Sequence, residues 1–154
     1  MATYRLSAQC TVGECKGIIS TLTFYNTIAN NGKMMRPRFV SKVMKNGETI
    51  MEFPPEVMRQ QIAKEKSIKE LQTILEQVVS VGLGKKAGSP NFKVAGKTGT
   101  AQISKGAGGY KSGGTSYLIS FAGYFPADAP RYSCIVCIQK SGLPASGGTM
   151  CGKV

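Results

Sequence analysis

Apolar residues recur at helical spacing at Ile19, Leu22, Tyr25, Ile28 and Ala29, with Ser20 or Thr21 placed to cap the start and Gly32 placed to end it. This pattern predicts a helix of about three turns. Residues 1 to about 17 carry no sustained period and are left unassigned. Arg38 to Lys45 and Glu48 to Phe53 flank Asn46-Gly47, a strong two-residue hairpin signal that sets Lys45 opposite Glu48, and Pro54-Pro55 ends the pair. A second helix is predicted from Ser67, whose hydroxyl and Glu70 match a capping box, with Ile68, Leu71, Leu75, Val78 and Val79 as one apolar stripe and Gly82 and Gly84 as the stop. The period then changes to strands over Lys93 to Ile103, Ser116 to Phe125 and Arg131 to Lys140. A glycine loop, Ser104 to Thr115, joins the first two, and the turn Pro126 to Pro130 makes the last two antiparallel neighbours. Helix, hairpin, helix and meander, without βαβ alternation, predict an α+β fold in which helices back an antiparallel sheet.

Composition narrows the chemistry. The chain has 154 residues, 42% of them hydrophobic, which suits one compact domain that needs no disulfides. It contains no His, so Ser-His-Asp and Cys-His sites and imidazole metal centres are excluded within it. Lys, Ser, Thr, Cys or backbone dipoles must do any chemistry. The longest apolar window, Tyr117 to Phe125, is broken by Ser120 and Gly123 and falls short of the ~20 residues of a membrane span. The start, Met1 to Ser7, has no apolar core of a secretory signal. Cys134 and Cys137 form a CxxC, but they sit in a β-branched run, where residues three apart face opposite sides, so they read as core thiols.

The net charge is +12, and it is uneven: residues 1–76 hold 11 basic and 7 acidic side chains, residues 77–154 hold 9 basic and Asp128 alone. The second half is therefore suited to meet anions, with nucleic acid and carboxylate-bearing substrates equally compatible. Two glycine motifs fail on context. Gly82-Leu-Gly84-Lys-Lys-Ala87 follows a helix where a dinucleotide fingerprint follows a strand, and Gly96-Lys97-Thr98 lacks the first glycine and the following helix of a P-loop. The stretch Val94 to Gln102 nevertheless places a cation, two hydroxyls and two glycines in mid-strand, which suits an exposed edge where a ligand backbone can approach. The plainer alternative is a glycine-rich edge blunted by lysine against aggregation.

These residues, taken with others, resemble the transpeptidase domain of penicillin-binding proteins, especially the class B enzymes that crosslink peptidoglycan. The resemblance rests on Phe24 to Lys33 followed by Arg36-Pro37, on Val94 to Gln102 with its Lys-Thr-Gly, on Ser120 to Pro126, and on Gly147-Gly148-Thr149, in that order. It implies the fold of the C-terminal part of the penicillin-binding transpeptidase and serine β-lactamase group. By position it implies that Lys97 sets the electrostatics of the nucleophile and attracts a substrate or antibiotic carboxylate, and that Thr98 and Thr100 bind that carboxylate. It further implies that the Thr100 N–H is an oxyanion donor and that Gly99 leaves room for substrate backbone. No cofactor or metal is implied. Peptidoglycan stem peptides and β-lactams are the implied partners, with the outer face of the cytoplasmic membrane as the parent's place.

The family's nucleophile motif, Ser-x-x-Lys, occurs nowhere in the chain, and Ser-x-Asn occurs only as Ser89-Pro90-Asn91, which reads as a loop rather than the motif. Residues 1–21 stand outside the resemblance and 22–154 form a partial transpeptidase domain, for which the N-terminal part of such a domain is the expected partner. The chain alone is expected to lack catalysis, since removing the nucleophile removes the covalent route. The family's final helix is also expected to be missing, which would leave apolar sheet surface exposed and lower solubility. The alternatives are a basic nucleic-acid-binding module, with Tyr110 in the lysine-bearing glycine loop as its stacking residue, and a non-catalytic scaffold; nucleic acid is not expected on the transpeptidase reading.

Overall fold

The computed structural model describes residues 12–103 and 115–154. The predicted glycine loop with Tyr110 lies, but for Thr115, outside them, as does the unassigned start up to residue 11. In chain order the elements are helix α1 (Val12–Ala29), strands β1 (Met34–Met35), β2 (Lys42–Lys45), β3 (Glu48–Glu52) and β4 (Val57–Arg59), helix α2 (Glu65–Ser80), strands β5 (Ala95–Ile103), β6 (Ser116–Phe125) and β7 (Tyr132–Ser141), and the one-turn helix α3 (Gly147–Met150). The fold is α+β, with an antiparallel sheet packed against helices, as expected.

Helix α1 starts at Val12, well before the apolar period becomes legible at Ile19. Its threonines explain the difference. The hydroxyls of Thr21, Thr23 and Thr27 donate to the carbonyls of Gly17, Ile19 and Thr23 at 2.9, 2.8 and 2.8 Å, so Thr21 lies inside the helix and caps nothing. The same bonds let Thr23 and Thr27 be buried beside Leu22 and Ile28. The helix ends as predicted: Asn31 and Gly32 take φ of 53° and 95°, and the Gly32 N–H donates to the Thr27 carbonyl at 2.8 Å.

Helix α2 corrects the capping box. It begins at Glu65 with Lys64 as an N-cap that makes no side-chain bond, and Ser67 falls within the first turn. Glu65, placed at the positive end of the helix and 2.6 Å from Lys69 one turn on, accounts for the earlier start. The apolar stripe holds, with Ile68, Leu75 and Val79 buried. Past the helix, N–H groups of Gly82 and Gly84 donate to the Gln77 and Val78 carbonyls. A Cβ on either glycine would meet the Val78 carbonyl, at 2.8 and 2.9 Å, so both are required by the turn.

The hairpin β2–β3 forms in the predicted register, with Lys45 opposite Glu48 and positive φ at both Asn46 and Gly47. Every residue of both strands is exposed. Its base is held by Arg38, which donates to the Phe53 carbonyl, and by Phe53 N–H to Ser41 O at 2.9 Å.

The main sheet has the order β5-β6-β7, antiparallel throughout, which places β5 at an edge as its composition suggested. Residues directly opposed across strands share a face. One face carries Ala95 and Tyr124, packed with Ile28 of α1 and Leu75 of α2. The other carries Ile119 and Phe121, packed with Val79, Val94 and Cys151. Gly96 and Gly123 are paired on this second face, and the Phe121 ring lies across them. Cys134 and Cys137, opposite Gly123 and Ser120, fall on different faces as the strand period requires; both are free, half-buried, and pushed upward in pKa by burial. Among the sheet's apolar side chains Leu118 and Tyr132 remain exposed. No described helix is long and apolar enough to cross a membrane.

Candidate active-site strand

The residues singled out from sequence lie together on β5: Lys97 opposite Ala122, Thr98 opposite Phe121, Gly99 opposite Ser120 and Thr100 opposite Ile119. Lys97 and Thr100 are exposed, Thr98 and Gly99 half-buried. A strand sends successive side chains to opposite faces. Lys97 and Gly99 therefore share the face of Ala95 and Tyr124, while Thr98 and Thr100 share that of Phe121 and Ile119. The side chains are thus split between faces, and the strand edge is where they meet. Lys97 spans that edge: its Nζ donates to the Thr98 carbonyl at 2.8 Å and to the Thr98 Oγ1 at 3.3 Å.

The backbone groups divide just as regularly. A Cβ placed on Gly147 would touch Gly99 O, Gly99 N and Ser120 O together, so the Gly99 peptide groups point inward to β6. A Cβ on Gly123 would lie 2.5 Å from Ala95 O, so Ala95 also points inward. With the period of two, Thr98 and Thr100 must direct their N–H and C=O outward, and the Lys97 contact to Thr98 O agrees. Among the described residues no strand pairs with this outer edge. Chemically, the edge offers a lysine ammonium, two hydroxyls and the outward N–H groups of Thr98 and Thr100, all donors suited to an anion.

Three supports of this strand were not legible as such. Ser120 occupies, with its Oγ, the space a Cβ on Gly99 would need, so it packs beside the glycine on the Lys97 face. On the other face Gly147 lies against the Gly99 and Ser120 backbone, and a Cβ on Gly148 would strike Leu83 O and come within 3.2 Å of Thr98 Cγ2. Ser146 caps this segment, its Oγ accepting from Thr149 N at 3.3 Å. The paired glycines of the tail were the available signal, but only the fold shows what they touch. Ser89-Pro90-Asn91 is a loop ahead of β5, as expected, in which Asn91 N–H donates to Ser89 Oγ at 3.2 Å. Among the described residues no group of His, Cys, Asp and Glu is clustered to hold a metal.

Residues 18–153 match the model of the penicillin binding protein transpeptidase domain. The chain is 33% identical over 124 residues to penicillin-binding protein PbpB of Mycolicibacterium smegmatis, covering 75% of this chain and 18% of that protein. It is 36% identical over 117 residues to PbpB of Mycobacterium tuberculosis, covering 70% and 17%. Among solved structures, the D,D-transpeptidase domain of a peptidoglycan glycosyltransferase from Eggerthella lenta superposes with a TM-score of 0.64 at 29% identity, over 81% of this chain and 27% of that one. The chain thus spans less than a quarter of the length of these curated relatives. With an edge strand of this composition inside a family match that runs almost end to end, the chain belongs to the penicillin-binding protein transpeptidase domain family.

Proposed function

We propose that this chain supplies one wall of a D,D-transpeptidase site, the wall that receives the carboxylate and the oxyanion of a peptidoglycan stem peptide or a β-lactam. The observation that carries the proposal is the outward edge of β5, where Lys97 Nζ lies 3.3 Å from Thr98 Oγ1 and the Thr100 N–H follows two residues along. In the parent reaction a serine hydroxyl gives up its proton and attacks the carbonyl between the two terminal D-alanines; the amide bond breaks, D-alanine leaves as the protonated amine, and an acceptor amine then takes the acyl group and frees the serine. Lys97 draws in the terminal carboxylate by charge, and the hydroxyls of Thr98 and Thr100 fix it. The Thr100 N–H donates to the oxygen that becomes negative as the serine adds. Removing one donor of that type typically costs about 2.7–4 kcal/mol of transition-state stabilisation. Gly99 is needed between Thr98 and Thr100 because a side chain there would strike Ser120 Oγ. The sequence holds no Ser-x-x-Lys, so the nucleophile on this reading comes from outside residues 1–154, from the rest of a transpeptidase domain. The work would be done at the outer face of the cytoplasmic membrane, where stem peptides are found.

The test is an amide-resolved NMR titration of the chain with an N-acyl-D-alanyl-D-alanine dipeptide at up to ~10 mM, a range suited to a half-built site. The expected result is a saturable shift confined to Thr98, Gly99 and Thr100, weakened by Lys97→Gln. Shifts spread elsewhere, or none, refute the assignment. Intact mass after penicillin treatment is expected to show no serine adduct, and a stoichiometric adduct would overturn the claim that the nucleophile lies elsewhere.

A further inference from the structure

At the opposite end of the sheet from Thr100 lies a groove of about 500 Å³ between the C-terminal end of α1, the base of the hairpin and the start of β7. Thr100 is opposite Ile119 on β6, whereas Tyr132 at the groove is opposite Phe125, six residues along the same strand and so roughly 20 Å away. The groove is a separate place on the molecule.

Its charge is what sets it apart. Lys33, Arg36, Arg38 and Arg131 all line it, and no acidic side chain does. The nearest compensation is Glu56, 2.7 Å from Arg36 Nε. Lys33 and Arg131 are exposed and form no ion pair among the described residues. Two other clefts among the described residues are built differently: one pairs Glu65 with Lys69 and Glu70 with Lys66, and the other carries the Glu76 to Lys93 pair. Four like charges around one concavity repel each other and focus a positive potential within it.

Arg36 is paired with Glu56, and Arg38 donates to the Phe53 carbonyl, so both guanidinium groups are tethered beside the groove. Three of the four cations are arginines, whose planar forks match the oxygens of a phosphate. Met35, Phe39 and Tyr132 add apolar and aromatic surface, with Tyr132 57% exposed. The volume is that of a small-molecule site.

We propose that this groove binds a phosphorylated ligand carrying two linked phosphates, with its uncharged portion lying on Met35, Phe39 and Tyr132. Counting Glu56, the four cations leave a local balance of +3; a single phosphate monoester carries about −1.5 to −2, and a second phosphate linked to it adds about one more negative charge, which brings the pair closer to neutralising the groove. The same chemistry is offered by a soluble diphosphate compound and by a phosphorylated lipid headgroup. The proposal does not depend on the role assigned to β5.

The test uses isothermal titration of the 154-residue chain with inorganic pyrophosphate in ~0.15 M KCl, where the Debye length of about 8 Å screens diffuse attraction. One saturable site is expected. The double variant Lys33→Gln, Arg131→Gln, which alters only exposed side chains, is expected to weaken it at least about tenfold, while Lys85→Gln, Lys86→Gln, removing the same charge from another exposed place, changes it less than about twofold. Flotation with neutral phosphatidylcholine vesicles carrying a long-chain alkyl diphosphate separates the sources: capture lost in the first variant assigns the headgroup, and no capture assigns the soluble compound. Absence of pyrophosphate binding, equal loss in both variants, or citrate binding as tightly as pyrophosphate overturns the proposal.

Discussion

Gly96, the residue before Lys97, offers the sharpest test of how β5 is held. A Cβ at this position would lie 2.5 Å from Phe121 Cζ, 2.7 Å from the Ala122 carbonyl oxygen and 3.0 Å from Gly123 Cα. Carbon atoms sit comfortably at about 3.5–4.0 Å, so the ring in Gly96→Ala must retreat by about 1 Å. Phe121 is 3% exposed and packed with Ile119, Val79 and Cys151, which leaves little room for that movement. Overpacking of a close-packed core costs about 1–3 kcal/mol, and the upper end applies because the carbonyl belongs to the backbone of the central strand. At roughly 2–4 °C per kcal/mol for a chain of this size, Gly96→Ala should melt about 6–12 °C lower. Urea denaturation would show the loss as a lower midpoint with an unchanged slope. A double-mutant cycle isolates the ring: Phe121→Leu removes Cζ, and the combined variant should be less destabilised than the sum of the two singles by about 1 kcal/mol. If Gly96→Ala costs less than about 0.5 kcal/mol, or the two changes simply add, the ring does not cover the paired glycines in the way described.

Tyr124 is fully buried, its hydroxyl has no hydrogen-bond partner among the described residues, and burial first and Glu76 second push its pKa up to about 12. A folded-state value above the unfolded one means stability that is full below pH 10 and lost as pH rises through 12, so Tyr124→Phe should gain about 1 kcal/mol at neutral pH and flatten alkaline unfolding; equal alkaline limbs would count against this. The Glu65 carboxyl is held below its ordinary 4.5 by its hydrogen bond to Lys69 and then by that residue's charge. Its contribution is therefore present above about pH 4.5 and fades as pH falls through the lower folded value, and Glu65→Gln should show a slightly shallower acid limb in a melting series from pH 2 to 6. Gly47→Ala, at φ of 88°, should loosen the hairpin by about 1–2 kcal/mol, seen as faster amide exchange in residues 42–52 while the global melting temperature stays within about 1 °C, because nothing of the hairpin's strands is buried. A global loss of several degrees would show that the arm packs on the body.

Much of the fold was legible because its signals are local. Asn46-Gly47 dictates a turn in which both residues need positive φ, and the stripe from Ile68 to Val79 declares its buried face without reference to anything else. The same holds for Lys97 to Thr100, where a cation and glycines in mid-strand are anomalous enough to mark an edge. The start of α1 was hidden because Thr21 looks like a capping residue in sequence but bonds back to Gly17 inside the helix, while Thr23 and Thr27 become core residues only when their hydroxyls make the same bond. The start of α2 was misplaced because a Ser-x-x-Glu spacing competes with an acidic residue nearer the true terminus. The basic groove was invisible for a different reason: Lys33 and Arg131 are far apart in the chain, and only the docking of β7 beside the end of α1 brings them to one cavity.

The tail segment has a mechanical consequence. Gly147 rests on the backbone of both β5 and β6, and Gly148 is wedged between Leu83 O, just beyond α2, and Thr98. Three segments distant in sequence are therefore locked at one point with no side chain to act as a cushion. A displacement of β5 at Thr98 and Gly99 has to move the turn after α2 and Ser146–Cys151 with it, because the closest contacts are backbone to backbone. The outer edge of β5 is thus braced from behind, which keeps the spacing of the Thr98 and Thr100 N–H groups.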